Sequence, residues 1–412
     1  MIHERQQTSE SGGGHGTSEA TQLPLPRAFH TDGRDARWSA RRKRDAWMLL
    51  LVLLICAGIV ISLSERGNLP VARPGTSATT STPASTTGVT PASTAVFNVR
   101  AAQVRLYPFP SSNVGLMQPA VDARGNVWVG EMNANRFARL DSRSGVVTTW
   151  DPPGARNGIM TTTVDTQGNA WFVEQAANYI GRFDPARQAF RTFPLGTAGG
   201  HPMGPQALQF DPSGNLWFTA AAGGRIGRLD PATSVVQTWP VPAPRAGVPS
   251  TPFGLTVTSN GQVWFGDLTG GAVGHFDPTT DRVTLYHLAD PQATVFSMAH
   301  DAGGRIWFSE IVPGKLGMID PVTNRVTELT VPAMPGQPAA LYAVVVTHNG
   351  DVWFADNGAG SLVRYVPGNA TFTFFRLPVA AEAPYGLTLD SAGRLWFTSP
   401  NPTTNAVGEL TP

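Results

Sequence analysis

The amino-acid sequence predicts an all-β protein, a seven-bladed β-propeller over residues 97–412, preceded by one N-terminal transmembrane helix. Three observations predict this fold. A Gly-x-x-Trp motif recurs seven times, each repeat holds short strand-like segments separated by turn residues, and the N-terminal side supplies the one segment that the last repeat lacks. A period of about 40–50 residues with four strands per unit is typical of propeller blades.

The repeat motif sets the number of blades. Successive glycines lie 43 to 47 residues apart. The pairs are Gly125/Trp128, Gly168/Trp171, Gly214/Trp217, Gly261/Trp264, Gly304/Trp307, Gly350/Trp353 and Gly393/Trp396. We expect the Trp and the residue after it to supply the packing between blades, because aromatic side chains bury large areas.

The third repeat illustrates the strands. Segments 207–210, 216–219, 225–229 and 235–239 are rich in β-branched, aromatic and aliphatic residues. Asp, Pro, Gly and Asn separate the first two segments and the last two, which is turn chemistry. The repeat therefore predicts four antiparallel strands joined by tight turns.

The seventh repeat ends early, at Val407–Pro412, which matches residues 226–231 of the third repeat. Its fourth strand is found instead at Gln103–Pro110, which matches residues 235–242. This predicts that an N-terminal strand completes the last blade and closes the ring, removing open sheet edges.

The chain before the propeller divides into three parts. Residues 1–45 are predicted as a disordered cytoplasmic tail ending in a basic cluster, residues 46–63 as a transmembrane signal-anchor, and residues 64–96 as a Ser/Thr/Pro-rich linker. The span from Ala46 to Leu63 carries no charge and is about 27 Å long as a helix. The basic residues before it place the N-terminus in the cytoplasm and the propeller outside, at the cell membrane.

Other interpretations of the apolar segment are open. A cleaved signal peptide has a shorter leading region and a small-residue cleavage site. A lipoprotein would use Cys56, but Ile55 precedes it where a small residue is expected. A buried soluble helix would show a polar face, and this segment has none.

Composition excludes several classes of protein. The net charge of +1 argues against a nucleic-acid partner. Cys56 is the single cysteine, so the propeller has neither a disulfide nor a thiol nucleophile. We expect a monomeric propeller stabilised by its hydrophobic core alone.

The sequence Gly-Asn-x-Trp-Phe, followed by Ile-Gly-Arg-x-Asp-Pro, resembles the virginiamycin B (streptogramin) lyase family over about residues 100–412. Clear instances are 168–185 and 214–231. It is also similar to NHL-type propellers. The resemblance implies a metal-dependent elimination that opens a cyclic depsipeptide, with a catalytic His at the start of an inner strand of the last blade, a second His in the preceding blade, and Glu residues holding Mg²⁺.

This sequence departs from the family at those positions. Tyr385 takes the place of the catalytic His, Tyr342 that of the second His, and Ala383 that of a nearby Glu, with Glu382 one position out of register. A neutral Tyr is a poor base because its ordinary pKa is about 10. We therefore expect a ligand-binding or sensing module, with a divergent lyase or a lactonase-like hydrolase as the alternative.

Two rings of residues face one end of the predicted channel. The position eight residues before each repeat Gly predicts an apolar ligand pocket for a peptide, a glycan or a small molecule: Met117, Met160, Gln206, Phe253, Phe296, Tyr342 and Tyr385. Alternatively, these side chains plug the channel as core.

The second ring lies six residues after each repeat Gly. Five of its seven members are acidic and predict a site for Mg²⁺ or Ca²⁺: Glu131, Glu174, Asp267, Glu310 and Asp356. Alternatively, each carboxylate accepts hydrogen bonds from a neighbouring blade's loop. Of the histidines, His201, in a loop at the same end, is the one candidate base.

Overall fold

The structure is a computed structural model that describes residues 88–89, 97–154, 158–334, 337–378, 381–401 and 405–411. The predicted cytoplasmic tail, the predicted membrane span and most of the predicted linker lie outside these residues. Within the described part of the chain, no helix has the length and apolarity needed to cross a bilayer.

Seven antiparallel sheets of four core strands form the propeller, as the repeats predict. The strands of blades 1 to 3 are Ala120–Val121, Asn126–Glu131, Arg136–Asp141 and Val147–Trp150; Ile159–Val164, Ala170–Glu174, Tyr179–Asp184 and Ala189–Pro194; and Pro205–Phe210, Leu216–Ala220, Arg225–Leu229 and Val236–Pro240. The bounds predicted for the third repeat agree to within two residues.

The remaining blades follow the same order. The strands of blades 4 to 6 are Pro252–Val257, Val263–Asp267, Ala272–Asp277 and Arg282–His287; Val295–His300, Ile306–Glu310, Lys315–Asp320 and Arg325–Thr330; and Leu341–Val346, Val352–Asp356, Ser361–Val366 and Thr371–Arg376. Blade 7 contains Leu387–Leu389, Leu395–Ser399, Ala406–Leu410 and Val104–Pro108. Outside the blade strands, the structure also has a 3-10 turn at Met132–Ala134 and a small hairpin of Thr197–Ala198 with His201–Pro202.

The predicted closure of the ring is confirmed. Strand Val104–Pro108 pairs antiparallel with Ala406–Leu410, with Tyr107 opposite Val407. The Tyr107 ring lies 5.7 Å from that of Trp396. We call this junction, where the N-terminal strand joins the C-terminal blade beside blade 1, the seam.

Two further strands from the N-terminal side extend the outer edges of blades 5 and 6. Gly88–Val89 runs parallel to the fourth strand of blade 5, and Phe97–Ala101 runs parallel to that of blade 6. The linker prediction did not anticipate a strand at Gly88–Val89. The chain therefore passes along the outer edges of two blades before it closes the seventh.

Aromatic side chains from adjacent blades pack into shared cores, as predicted. Between blades 1 and 2, the Phe137 and Phe172 rings lie 4.8 Å apart, and Trp128 lies 5.8 Å from Phe183. All four side chains are fully buried. Burying each contributes roughly 1.5–3 kcal/mol before the entropy cost, so the inter-blade cores hold the ring together.

A close contact inside five of the seven sheets explains the Ile-Gly-Arg motif. In blade 3, Gly227 lies across from Phe218, and a Cβ at Gly227 would meet the Phe218 Cζ at 2.1 Å. The same relation recurs at Gly181, Gly274, Gly317 and Gly408. In these five blades the Phe ring lies over the glycine, where a Cβ would have to displace it. Blade 6 instead has Val363 across from Phe354.

Candidate functional site

The first predicted ring lies at the start of the first strands and closes one end of the central channel. All its members are buried, with exposures from 0% at Met117 to 9% at Phe296. The aromatic members contact one another from blade to blade. Ring centroids lie 4.9 Å apart for Phe253–Phe296, 5.1 Å for Phe296–Tyr342 and 5.2 Å for Tyr342–Tyr385. We call this ring of seven residues the plug.

The burial of the plug agrees with the alternative interpretation, in which these side chains fill the channel as core. Met160 and Gln206 are as buried as the aromatic members, at 3% and 2%. In the part of the chain that the structure describes, neither the nitrogen nor the oxygen of the Gln206 amide has a hydrogen-bond partner. The role of the ring as a ligand pocket stays a prediction.

The two tyrosines in the family's histidine positions are held neutral by their surroundings. Burial raises the pKa of Tyr342 far above its ordinary value. Burial, with the neighbouring Tyr342, raises the pKa of Tyr385 further still. A phenol with a raised pKa holds its proton, so neither hydroxyl can act as a general base near neutral pH.

Behind the plug, the first strands line a half-open cavity of about 430 Å³, and five plug residues contribute to its wall: Met160, Gln206, Phe253, Phe296 and Tyr385. His300 lies at the far end of these strands, and its Nδ1 is 3.0 Å from Oγ1 of Thr256 on the neighbouring blade. Burial lowers the pKa of His300, so its imidazole is neutral near pH 7. Gln118 Nε2 likewise donates to the Leu387 carbonyl at 2.7 Å. These polar contacts join the first strands of adjacent blades.

The acidic ring lies at the ends of the second strands, and its carboxylates are buried. Asp267 Oδ2 accepts hydrogen bonds from Ser250 Oγ at 2.6 Å and from the Thr251 amide at 2.9 Å. Asp356 Oδ1 accepts from the Ala340 and Ala359 amides, both at 3.1 Å. These partners belong to the loops of the same blade, not of a neighbouring blade as the sequence-based alternative had it.

Two glutamates of this ring are held in the same way. Glu131 Oε2 accepts a hydrogen bond from Arg136 Nε at 2.7 Å. Glu174 accepts a hydrogen bond from the Ala177 amide in the turn that follows its strand. Both partners again belong to the same blade as the carboxylate.

Glu310 differs from the other ring members. Its side chain is fully buried, and neither carboxylate oxygen has a hydrogen-bond partner among the described residues. Burial and the nearby Glu328 raise the pKa of Glu310 to about 8, although Lys315 opposes the shift. Lys315 Nζ forms an ion pair with Glu328 Oε1 at 2.8 Å. Glu310 is therefore mainly protonated at neutral pH.

The five acidic candidates belong to five different blades. Across the described ranges, the structure holds no group of three or more His, Cys, Asp or Glu side chains arranged to hold a metal ion. The Mg²⁺ or Ca²⁺ prediction thus has no assembled ligand set in this part of the chain. Glu174, Asp267 and Asp356 instead accept hydrogen bonds from loop amides, and Glu131 pairs with Arg136.

The remaining candidates lie apart from the plug. His201 pairs through its backbone with Ala198 in the hairpin between blades 2 and 3 and is half-buried. Glu382 is half-buried beside Gly360, over a turn of blade 6. The structure does not bring either residue into the row of stacked aromatic rings.

Sequence reasoning missed the polar network at the seam. Glu409 accepts hydrogen bonds from the Tyr107 hydroxyl at 3.0 Å and from Arg394 at 2.8 Å. Burial and Glu409 raise the pKa of Tyr107 to about 12. One feature of the sequence could have indicated this network. Glu409 occupies the third-strand position at which most other blades carry Arg, as at Arg139 and Arg228.

Solved structures share this fold. A streptogramin B lyase structure is 26% identical, with a TM-score of 0.65, covering 75% of this chain and 97% of that chain. Selenomethionine-substituted virginiamycin B lyase from Staphylococcus aureus is 24% identical, with a TM-score of 0.66 and coverage of 75% and 99%. A catalytically inactive His-to-Ala variant of that enzyme with quinupristin is 23% identical, with the same TM-score and coverage.

No curated protein sequence gives a significant match. The sequence profile of the Virginiamycin B lyase family matches residues 86–365, which is well over half of the chain. That range begins just before the strand on blade 5 and extends through the third strand of blade 6. The chain therefore belongs to the virginiamycin B lyase family.

Proposed function

We propose that this protein is a membrane-anchored, extracytoplasmic binding or sensing propeller that does not catalyse the elimination for which its family is named. One observation carries the proposal. Tyr385 stands where the resemblance places the catalytic His, and it is buried between Phe296 and Tyr342, with ring centroids 5.5 and 5.2 Å away. The site of proton abstraction is thus occupied by packed aromatic rings.

The chemistry of elimination supports this conclusion. Ring opening by C–O elimination needs a base that removes a proton next to a carbonyl while the ester oxygen leaves. Tyr342 and Tyr385 hold their protons, for the reason given above. Among the described residues, the carboxylates of the acidic ring lie on five different blades and form no group of three that would hold a metal ion beside the leaving oxygen. Ligand binding needs neither a general base nor a bound metal ion.

The ligand in this proposal is a peptide, a glycan or an apolar small molecule that meets the loops around the plug. The membrane anchor is residues 46–63, with the basic cluster holding the N-terminus inside. A binding domain tethered to the outer face of a membrane suits capture of extracellular molecules. Any signal across the membrane would need a partner.

The first experiment is an activity assay on the full-length chain in detergent micelles. The chain is incubated with a streptogramin B antibiotic and Mg²⁺, and the mixture is separated by chromatography, because elimination gives a linear product of unchanged mass. A streptogramin B lyase serves as the positive control. We expect no product above the buffer blank. Turnover that falls on substitution of Tyr385→Phe would overturn the proposal.

The anchor is tested separately. Cells expressing the full-length chain and a variant lacking residues 46–63 are fractionated, and the membranes are washed with alkaline carbonate. We expect the full-length chain to stay in the pellet and to be digested by protease added outside intact cells. Recovery of the full-length chain in the supernatant would contradict the anchor.

A further inference from the structure

Blade 1 carries two arginines at turn positions where the other blades are neutral. The residue before the repeat Gly is Arg124 in blade 1; its counterparts are Gln167, Ser213, Asn260, Gly303, Asn349 and Ala392. In the turn after the third strand, the corresponding residue is Arg143; its counterparts are Ala186, Ala232, Thr279, Val322 and Gly368. Blades that lack these arginines still form, so the blade architecture does not require them.

Both arginines line one surface cavity of about 400 Å³, together with Arg105 and Arg394. The cavity lies at the end of the propeller opposite the plug, because its walls are the turns after the first and third strands. Arg105 belongs to the closing N-terminal strand, and Arg394 belongs to blade 7. The cavity therefore spans the seam, and we call it the seam cavity.

Two of the three carboxylates in this cavity, Asp122 and Asp390, already accept hydrogen bonds from neighbouring protein groups. Asp122 accepts hydrogen bonds from the Arg124 amide at 2.9 Å and from Trp128 Nε1 at 3.0 Å. Asp390 accepts from Arg394 Nε at 2.7 Å and from Trp396 Nε1 at 3.0 Å. Asp122 and Asp390 thus fix their turns and the indoles beneath them.

The third carboxylate is Glu409, which accepts from Arg394 and from Tyr107, as described above. Arg394 therefore bridges two of the three carboxylates, and its charge is balanced within the seam. Asp141, beside the cavity, accepts the backbone amides of Arg143 and Ser144, and these bonds lower its pKa.

The other three guanidinium groups have no such partner. Arg105, Arg124 and Arg143 are exposed, and within the described residues none forms an ion pair with a carboxylate. Arg105 lies over the Tyr107 ring, with its guanidinium carbon 4.8 Å from the centroid. The hydroxyls of Ser142 and Ser391 add neutral donors to the same lining. The lining holds four arginines and three carboxylates, Asp122, Asp390 and Glu409, so its net charge is +1. Within the described residues, the guanidinium donors of Arg105, Arg124 and Arg143 are the ones that these carboxylates do not engage.

We propose that the seam cavity binds a small molecule bearing a phosphate or sulfate group. Guanidinium groups pair with tetrahedral oxyanions through charge-assisted hydrogen bonds in a fixed geometry. A volume of about 400 Å³ is within the range of small-molecule sites. The inference goes beyond the proposed function, because it assigns a second site at the opposite end of the propeller, independent of the plug.

Binding at this position has a consequence for the fold. The ligand would contact the closing strand through Arg105 and blade 1 through Arg124 and Arg143. A ligand that binds only the closed ring stabilises it by mass action. The seam cavity therefore couples ligand binding to closure of the propeller.

The test uses the full-length chain in detergent micelles. Thermal unfolding is followed while inorganic phosphate, or separately sulfate, replaces chloride at constant ionic strength. We expect at least one of these ions to raise Tm, by about 3 °C when the site is well occupied. Calorimetric titration with the same ion gives Kd.

Variants assign the effect to the cavity. Arg124→Gln and Arg143→Ala each install a residue that another blade carries at the same position, so we expect both to fold. Each should weaken Kd about tenfold, and the double variant should lose the shift in Tm. Arg325→Ala, which changes an exposed residue on the outer strand of blade 5, is the control and should keep the shift.

The outcomes separate the possible ligands. If phosphate alone stabilises the protein, the ligand is a phosphorylated molecule. If sulfate alone does so, the ligand is a sulfated molecule. If both ions do so, the site accepts either oxyanion. The proposal fails if neither ion stabilises the protein, or if the double variant shows the same shift as the wild type, since sulfate and phosphate also stabilise proteins by exclusion from their surfaces. None of these results depends on the outcome of the lyase assay.

Discussion

The indole Nε1 of Trp217 donates a 2.9 Å hydrogen bond to Oδ2 of Asp211, whose other oxygen accepts the amides of Ser213 and Asn215. The same Asp–Trp pair recurs in blades 1, 2, 5 and 7, at 2.8 to 3.2 Å. In blades 4 and 6 a Thr replaces the Asp, at Thr258 and Thr347. One carboxylate thus fixes a turn and satisfies the polar atom of a buried indole.

This relationship predicts the cost of removing the carboxylate. Asp211→Ala leaves the Trp217 indole N–H without an acceptor and releases the turn, so we expect a loss of about 2 kcal/mol in the free energy of unfolding. Urea denaturation measures it. Pro212→Ala, at an exposed position in the same turn, is the control and should stay within about 0.5 kcal/mol of wild type. Equal effects from both substitutions would contradict the role of the carboxylate.

The contact between Gly227 and Phe218 predicts a steric penalty. In Gly227→Ala the new Cβ would lie 2.1 Å from the Phe218 Cζ, so the ring or the strand must move. We expect a loss of about 1–3 kcal/mol in unfolding free energy. Gly368→Ala, where no atom lies within 4 Å of the added Cβ, should be nearly neutral. Adding Phe218→Leu should recover part of the loss, and strict additivity would refute the contact as its cause.

Glu310 predicts a pH dependence of stability with a definite sign. Its folded-state pKa is raised from 4.5 to about 8, so the folded protein holds a proton that the unfolded chain releases. The associated stability is fully present below about pH 4.5 and is lost as pH rises through about 8. Glu310→Gln keeps the shape of the protonated form and should remove this loss.

The measurement is the unfolding free energy of wild type and Glu310→Gln at about pH 4 and about pH 8. We expect the variant to gain on the order of 3 kcal/mol relative to wild type between these two values. Comparing the two proteins at each pH cancels the titration of groups that they share. A difference that does not change with pH would show that Glu310 is charged in the folded state.

The plug predicts large losses from truncation. Tyr342→Ala and Tyr385→Ala each remove a buried ring, so we expect each to cost about 3 kcal/mol. Because the two rings are in contact at 5.2 Å, the double variant should lose less than the sum. Tyr385→Phe is the conservative control. Losses below about 1 kcal/mol would instead favour an open ligand pocket.

The blade count, the strand bounds and the closure of the ring are predictable from the sequence. The Gly-x-x-Trp period repeats with every blade, and Gln103–Pro110 matches the strand that the last repeat lacks. Local turn chemistry and hydrophobic alternation suffice for the blade count and the strand bounds, because these depend on residues close together in one repeat. The closure pairs strands about 300 residues apart and is predictable because the displaced strand keeps the sequence pattern of its repeat. The strand at Gly88–Val89 was missed because two residues paired to the edge of blade 5 carry no periodic signal of their own.

The candidate site was only partly predictable. The repeat register correctly placed Tyr385 and Glu310 in two rings at one end of the propeller, but register does not reveal how far a side chain reaches or what it meets. Whether Tyr385 faces open space or stacks on Phe296 depends on residues contributed by distant repeats.

The sequence by itself therefore determined the repeating architecture and the residues at each ring position. Only the tertiary structure decided that the residues of the plug are buried against one another. It also decided that each acidic residue is engaged within its own blade or left as a buried carboxyl. The same holds for the meeting of Arg105 with Arg124 and Arg143 at the seam. The packing of the plug and the meeting of arginines at the seam depend on contacts between blades that are distant in the sequence, and the partners of the acidic residues depend on loop conformation, which the repeat pattern does not specify.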